Sequence, residues 1–282
     1  MRIIYLSLVL CCSSVLFSQN ATLRGRVVDA QTNLPIAYVA LGISGTSIGT
    51  VTDENGQFVL ENSANPEVIA MDIVFTSLGY EDVVIASATF TEVEQIIKMK
   101  HKVYGLDEVV VYDFSGELMT LGKGKINTRM SVNFAIDGKV NQNLGSEIGR
   151  RFKIKDQAML KTFKFYVSQN NFNGVKFRVN VYDARKKRSL NPINKKEIII
   201  ALTDKQKGWV AVDLSPYNII AKENVVVAIE WIAADKGGSR LNIPINMPSL
   251  GSTHYYKYGS KNNWKVYGNM SAAMVLEVME KE

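Results

Sequence analysis

Apolar and polar residues alternate along much of this chain with a period of two, which is the spacing of side chains on a β-strand. In the stretch VKFRVNVY at residues 175–182, Val or Phe occupies every odd position. Such alternation predicts a strand with one buried and one solvent-facing side, and it places Lys176 and Arg178 towards solvent. Similar runs recur between clusters of Gly, Asn, Asp and Pro, while helical periodicity is scarce. The pattern therefore predicts an all-β protein.

The first residues depart from this pattern and have the composition of a signal peptide. Arg2 precedes an apolar run from Ile3 to Leu10, and the small Ser18 lies where a signal peptidase would cut. The apolar run is too short to cross about 30 Å of hydrocarbon. We therefore expect export, with residues 1–18 as the leader and a mature chain without a transmembrane span.

Both cysteines of the chain, Cys11 and Cys12, lie in this leader. The mature chain then has no thiol for a disulfide or a thiolate metal site, and apolar burial must hold its fold together. A lipid-anchored leader is the alternative. It is less favoured because lipid attachment requires a small residue before the cysteine, and Leu10 is large.

The first domain is expected over residues 19–100, where short apolar runs are separated by turn residues. Pro35 fixes the backbone before the second strand, and the sequence DENG at residues 53–56 supplies the acceptors and the glycine of a tight hairpin. Other positions recur in a recognisable order: Gly25, Val27, Asp29, Leu34, Pro35, Ile36, Val39, Gly45, Thr46, Gly49, Thr50, Thr52, Asp53, Gly56, Phe58, Gly79 and Tyr80.

This series resembles the carboxypeptidase-regulatory-like family over about residues 21–100. The resemblance implies a small prealbumin-like β-sandwich in which the shared residues are structural, with Phe58 and Tyr80 in the core. The resemblance implies no peptidase activity, because the family is named after a carboxypeptidase to which such a domain is attached and does not include the peptidase itself.

Residues 101–145 are expected to form a linker. Within it, LDEVVV at residues 106–111 resembles the segment that joins this module to the plug of TonB-dependent receptors in Gram-negative bacteria and overlaps the strand that contacts TonB. The residues that follow are too few for a plug and a large barrel, whose strands need about 9 to 11 residues each. We therefore favour a linking strand over a strand-adding peptide for an envelope partner.

The second domain, over residues 146–282, is predicted to be another β-sandwich. Its stretch KGWVAVDLSPYNIIAKENVVVAIEW resembles jelly-roll modules in general. The charge of the chain reverses near this boundary: residues 20–112 hold 5 Lys and Arg against 12 Asp and Glu, whereas residues 150–207 hold 16 against 4. Such a reversal predicts either docking between the two halves or an anionic partner for the second.

Two features of the second domain predict binding. The first is a basic surface, and because export argues against nucleic acid, an anionic envelope polymer is the expected partner; the alternative is a merely solvated face. Its residues are Lys164, Lys176, Arg178, Arg185, Lys186, Lys187 and Arg188. The second is an aromatic, polar stretch typical of glycan sites, whose alternative is core packing. Its residues are Tyr255, Tyr256, Tyr258, Asn263, Trp264 and Tyr267.

Catalytic patterns are scarce. GTSIG at residues 45–49 fits the formula of a nucleophile elbow, but an elbow joins a strand to a helix and this stretch is predicted to be a hairpin. The two histidines, His101 and His254, are far apart in sequence, and no spacing indicates zinc, calcium or another cofactor. Paired carboxylates remain open, because such partners can be distant in sequence. Those considered are Asp183, Asp213 and Glu230.

The sequence thus favours a non-catalytic binding or interaction protein of a Gram-negative envelope, in the periplasm or at the outer-membrane surface. The first module would be a spacer or docking domain and the second sandwich the binding domain. A carbohydrate-binding accessory protein is one alternative, and a hydrolase with a carboxylate pair in the second domain is another.

Overall fold

The computed structural model describes residues 22–61, 71–89, 94–103, 114–126, 128–135, 143–155, 157–186 and 189–281. These residues form strands joined by turns, with two short 3₁₀ turns at Ser87–Thr89 and Ser215–Tyr217, and no helix among them could span a membrane. The all-β prediction is confirmed. The strands are β1 (Thr22–Asp29), β2 (Ala40–Ile43), β3 (Gly49–Val51), β4 (Gln57–Glu61), β5 (Asp72–Thr76), β6 (Val83–Ala86), β7 (Gln95–Met99), β8 (Leu118–Leu121), β9 (Ser131–Asn133), β10 (Glu147–Phe152), β11 (Ala158–Val167), β12 (Gln169–Asn170), β13 (Gly174–Lys186), β14 (Ser189–Pro192), β15 (Ile199–Thr203), β16 (Gly208–Asp213), β17 (Ile220–Ala221), β18 (Val225–Ala234), β19 (Leu241–Asn246), β20 (Thr253–Lys257), β21 (Lys265–Gly268), β22 (Ser271–Ala272) and β23 (Met274–Glu280).

The first domain, called the module below, is a sandwich of two small sheets ordered β4-β1-β7 and β3-β2-β5-β6. Its core is apolar and includes Phe58, which packs edge-on against Phe75. The predicted hairpin turn is present: the Asp53 carboxylate accepts the N–H groups of Asn55 and Gln57, and Gly56 has a φ of 71°. Tyr80 is partly buried against the same core, as expected for a structural residue.

The second domain packs a seven-stranded sheet, with the path β14-β13-β18-β10-β20-β21 and β15 beside β13, against a five-stranded sheet ordered β16-β11-β23-β8 with β17 beside β11. Trp231, Phe177 and Phe165 lie in the main core between them. The strands β8 and β9 fall within the segment predicted as a linker, yet they pair with β23 and β19. Their apolar residues Leu121 and Val132 pack against the same core.

The seven-stranded sheet is strongly curled. The rings of Tyr182, on β13, and Trp264, just before β21, have centroids 5.6 Å apart, although four spacings of about 4.8 Å separate these strands in a flat sheet. The small residues Gly149 and Ala228 line the inside of the curl, where a Cβ on Gly149 would lie 3.0 Å from that of Ala228. The curl creates a trough on the sheet face turned away from the main core.

Candidate functional site

The aromatic stretch of the second domain forms the hairpin β20–β21, and strand alternation divides it between two faces. Tyr255 points into the trough, where it is fully buried beside Trp264. Its neighbours His254 and Tyr256 lie on the opposite face. Asn263 is exposed near Gly45 of the module. The structure therefore does not bring the six predicted glycan-binding residues together in one site.

A row of four charges crosses the trough from strand to strand. Backbone register places Arg178 of β13 beside Glu230 of β18, Glu230 beside Glu147 of β10, and Glu147 beside Lys257 of β20. Arg178 pairs with Glu230 at 3.2 Å, and Lys257 pairs with Glu147 while its ammonium lies 5.1 Å from the Trp264 ring centre. We call Arg178, Glu230, Glu147 and Lys257 the charge row.

The two central acids of the row are buried and directly opposite each other, an arrangement that is destabilising without compensation. The flanking cations compensate the charge, and the Asn180 amide donates to both carboxylates. Tyr182 donates its hydroxyl to Glu147 at 2.8 Å. Burial, followed by the charge of Glu147, raises the pKa of Tyr182 well above 10, so its hydroxyl stays protonated. The row is thus a buried, charge-balanced network, in which the Nε of Arg178 is left without a hydrogen-bond partner among the described residues.

The module caps the end of the trough that holds the charge row. Arg178 donates to the carbonyl of Tyr38, and Lys176 binds both the Tyr38 hydroxyl and Glu54. Tyr38 adopts a φ of 56°, rare for an aromatic residue, and joins the main core of the second domain together with Val51. The two domains therefore share a packed interface, which is one of the two outcomes that the charge reversal predicts.

A second contact of this interface is built on glycines. Ser260, in the β20–β21 hairpin, donates to the carbonyl of Leu41, and a Cβ on Gly49 would lie 2.5 Å from its Oγ. Lys261 follows, donating its ammonium to Thr76, and burial lowers the pKa of Lys261 to about 8. The close approach explains the GTSIG segment in physical terms: it joins two strands, and its last glycine admits the hairpin of the other domain.

The other face of the β20–β21 hairpin gathers polar aromatic residues. The rings of His254 and Tyr267 stack with centroids 6.1 Å apart, and those of Tyr256 and Tyr258 lie 6.4 Å apart. Burial, followed by the nearby Tyr258 and Tyr267, raises the pKa of Tyr256 to about 12. Tyr267 remains 41% exposed. We call His254, Tyr256, Tyr258 and Tyr267 the hairpin cluster.

His254 is the most deeply buried member of the hairpin cluster. Burial lowers its pKa to about 4, and a hydrogen bond with the Gly149 backbone acts in the opposite direction. The imidazole is therefore neutral at pH 7. Its Nδ1 makes no hydrogen bond to any residue that the structure describes. This environment of His254 was not predicted from sequence, since a single histidine in a strand is as often a core residue as a ligand contact.

The four predicted basic residues whose side chains the structure describes do not form one open surface. Arg178 is only 7% exposed because the module covers the side of β13 that alternation assigns to solvent. Lys164 lies on the five-stranded sheet and pairs with Glu277, while Arg185 pairs with Asp183. The side chains of Lys186, Lys187 and Arg188 fall outside the described residues, as do the leader and residues 106–111.

The three carboxylates considered for hydrolysis are each engaged. Glu230 belongs to the charge row, Asp183 holds Arg185, and Asp213 accepts the N–H of Ser215 at 2.9 Å. Glu147, which the sequence analysis did not single out, is the acid nearest to Glu230 in the sheet register. Within the described ranges, no group of three or more His, Cys, Asp or Glu could hold a metal ion.

The geometry of the module agrees with a known domain family. Residues 23–111 match the family model of the CarboxypepD_reg-like domain. The match confirms the resemblance inferred from the motif residues and extends it past residue 100. It covers less than half of the chain and leaves the second domain unassigned. No curated protein matches this chain.

Solved structures show only a distant likeness. The cysteine protease and lectin-like domains of Cwp84, a surface layer associated protein of Clostridium difficile, share 10% identity over 93% of this chain and 64% of that one, with a TM-score of 0.37. The infectious bursal disease virus Gt strain structure shares 8% over 93% and 59%, with a TM-score of 0.26. The chain spans less than two thirds of the length of either. Scores this low carry no argument about function.

Proposed function

We propose that this protein is a non-catalytic, exported binding protein of a Gram-negative cell envelope. In this proposal the CarboxypepD_reg-like module is a docking domain fixed on the larger sandwich, which carries the binding surface. The observation that supports it best is the packed interface: Arg178, Ser260 and Lys261 all contact the module backbone or side chains. A flexible tether would need none of these contacts.

The absence of catalysis is part of the proposal and rests on the carboxylates. Glu147 and Glu230 are the closest acid pair in the trough, but both are buried, ion-paired and hydrogen-bonded. A general acid or base must reach its substrate within hydrogen-bond distance. Acids that are enclosed in a network of ion pairs and hydrogen bonds stabilise the fold instead.

Envelope binding is tested by incubating the purified mature protein with isolated outer-membrane fragments and sedimenting them, at low and at high salt. We expect saturable co-sedimentation that persists at high salt, because Lys164, Lys176, Arg178 and Arg185 are already paired with acids. A protein that stays in the supernatant at both salt concentrations would contradict the proposal. So would turnover of a peptide or glycan that disappears in a folded Glu230→Gln variant.

A second candidate, a carbohydrate-binding accessory protein, is favoured by one observation. The hairpin cluster places three tyrosines and a histidine on one side of an edge hairpin, with Tyr267 open to solvent. Binding to a glycan array measures this function directly, and the absence of binding to every glycan would exclude it.

A further inference from the structure

The unpaired ring nitrogen of the buried His254 needs an explanation. His254 is 2% exposed, and its Nδ1 makes no hydrogen bond to the described residues. A neutral imidazole has one donor nitrogen and one acceptor nitrogen, and a polar atom that is shielded from water and unpaired destabilises the fold. Such an atom persists where a ligand or an ordered water completes its bonding.

The neighbours of His254 restrict the chemistry of that ligand. Tyr267 stacks on the imidazole and leaves much of its own ring surface open. Tyr256, whose ring packs against the main core, and Tyr258 add two further hydroxyl groups, and the raised pKa values of both tyrosines keep these groups protonated at neutral pH. The cluster therefore offers ring surface, hydroxyl groups that can donate or accept, and one acceptor nitrogen.

A pyranose sugar has the complementary groups. Its C–H face packs on an aromatic ring, and its hydroxyls donate to an imidazole nitrogen and exchange hydrogen bonds with phenols. A compact anion fits less well, because the nearest strongly basic side chain in the buried part of this face, Arg150, is turned to the carbonyls of Met274 and Ala272. Apolar ligands would leave the hydroxyls and the imidazole unpaired.

We propose that the hairpin cluster binds a pyranose ring of an envelope glycan, with Tyr267 as the stacking platform and His254 as the buried acceptor of a sugar hydroxyl. The inference rests on the proposed function, because it takes the second sandwich to be the binding domain. Trp264 and Tyr255, predicted from sequence to share the site, belong to the trough and take no part in it.

The test uses an array of neutral and acidic oligosaccharides together with delipidated lipopolysaccharide, followed by calorimetry on the best ligand. Tyr267→Ala removes the platform, and His254→Phe keeps the ring but removes the acceptor. We expect each to weaken binding by about tenfold, the effect of losing one stacking or hydrogen-bonding contact. Trp209→Ala, at an aromatic residue 39% exposed on the five-stranded sheet, is the control and should bind as the unaltered protein does.

Tyr256→Phe guards against a folding defect in the histidine variant, because it removes one hydroxyl and leaves the buried ring in place. Binding that survives Tyr267→Ala, Tyr256→Phe and a folded His254→Phe would overturn the inference but leave the binding function intact. If no glycan on the array binds, the inference fails as well. If the unaltered protein also fails to co-sediment with outer-membrane fragments, the proposed function fails as well.

Discussion

The two faces of strand β20 receive consecutive residues of one aromatic stretch and have different properties. Towards the trough, Tyr255 and Lys257 are enclosed, and all four members of the charge row have an oppositely charged partner. Towards the other side, His254 is buried with its Nδ1 unpaired, and Tyr256 packs against the main core next to the open Tyr267. The difference shows that side-chain type alone does not identify a binding site. An unpaired buried atom points to a site only where open ring surface lies beside it, as Tyr267 does beside His254.

Arg178→Met should produce the largest effect. The change leaves Glu230, Glu197 and the Tyr38 carbonyl without their cationic partner in a buried network, which costs about 3–5 kcal/mol of unfolding free energy. Urea denaturation measures it. Arg185→Met, which removes an exposed cation paired with Asp183, should change stability by no more than about 0.5 kcal/mol. Equal effects of the two variants would mean that the charge row does not hold the trough together.

Tyr255→Ala and Tyr267→Ala separate the two faces of the hairpin. Tyr255 is fully buried, so its truncation should cost about 3 kcal/mol or more of stability. Tyr267 is 41% exposed, and its truncation should cost about 0.5 kcal/mol or less. Denaturation of both variants checks the pair. A larger loss for Tyr267 would reverse the assignment of the faces.

The pH dependence of stability reports on His254. Its folded pKa of about 4 lies below the ordinary 6.5, so the folded state favours the neutral ring. The stability due to the neutral ring is fully present above pH 6.5 and is lost as the pH falls towards 4, by at most about 3 kcal/mol. Subtracting the denaturation profile of His254→Phe from that of the unaltered protein isolates this contribution. A difference that stays constant from pH 7 to pH 4 would contradict the burial of this histidine.

Gly49→Ala tests whether the module is fixed to the sandwich. Its new Cβ would meet Ser260, and we expect about 1–3 kcal/mol of destabilisation with separate unfolding of the two domains. Gly268→Ala is the matched control, because no atom lies within 4 Å of the Cβ it would add. Calorimetry distinguishes one transition from two. A single unchanged transition for Gly49→Ala would show that the close contact is dispensable.

The sequence allowed local features to be predicted where a short segment contains all the necessary information. The hairpin turn at Asp53 and Gly56 is of this kind. Arg178 was expected in solvent because alternation describes one strand and not what covers it. The apolar run of β18 was a usable signal: Glu230 within it had to be buried, and a buried acid requires a cation.

Contacts between residues that are distant in sequence could not be predicted, because the alternation within one strand does not show which strands lie beside it. Glu147 and Lys257 meet only because β10 lies between β18 and β20, and nothing near either residue in sequence reveals that order. The division of the aromatic stretch could have been predicted from the period of two. Which half would be enclosed depended on the curl of the whole sheet.

The most direct test of the division is fluorine NMR of the protein labelled with fluorotyrosine, titrated with the best glycan from the array. Single Tyr→Phe variants assign the resonances. We predict that the signals of Tyr256, Tyr258 and Tyr267 shift with ligand and that those of Tyr255 and Tyr182 do not. Shifts at Tyr255 and Tyr182 with none at Tyr267 would place the ligand in the trough and contradict the account.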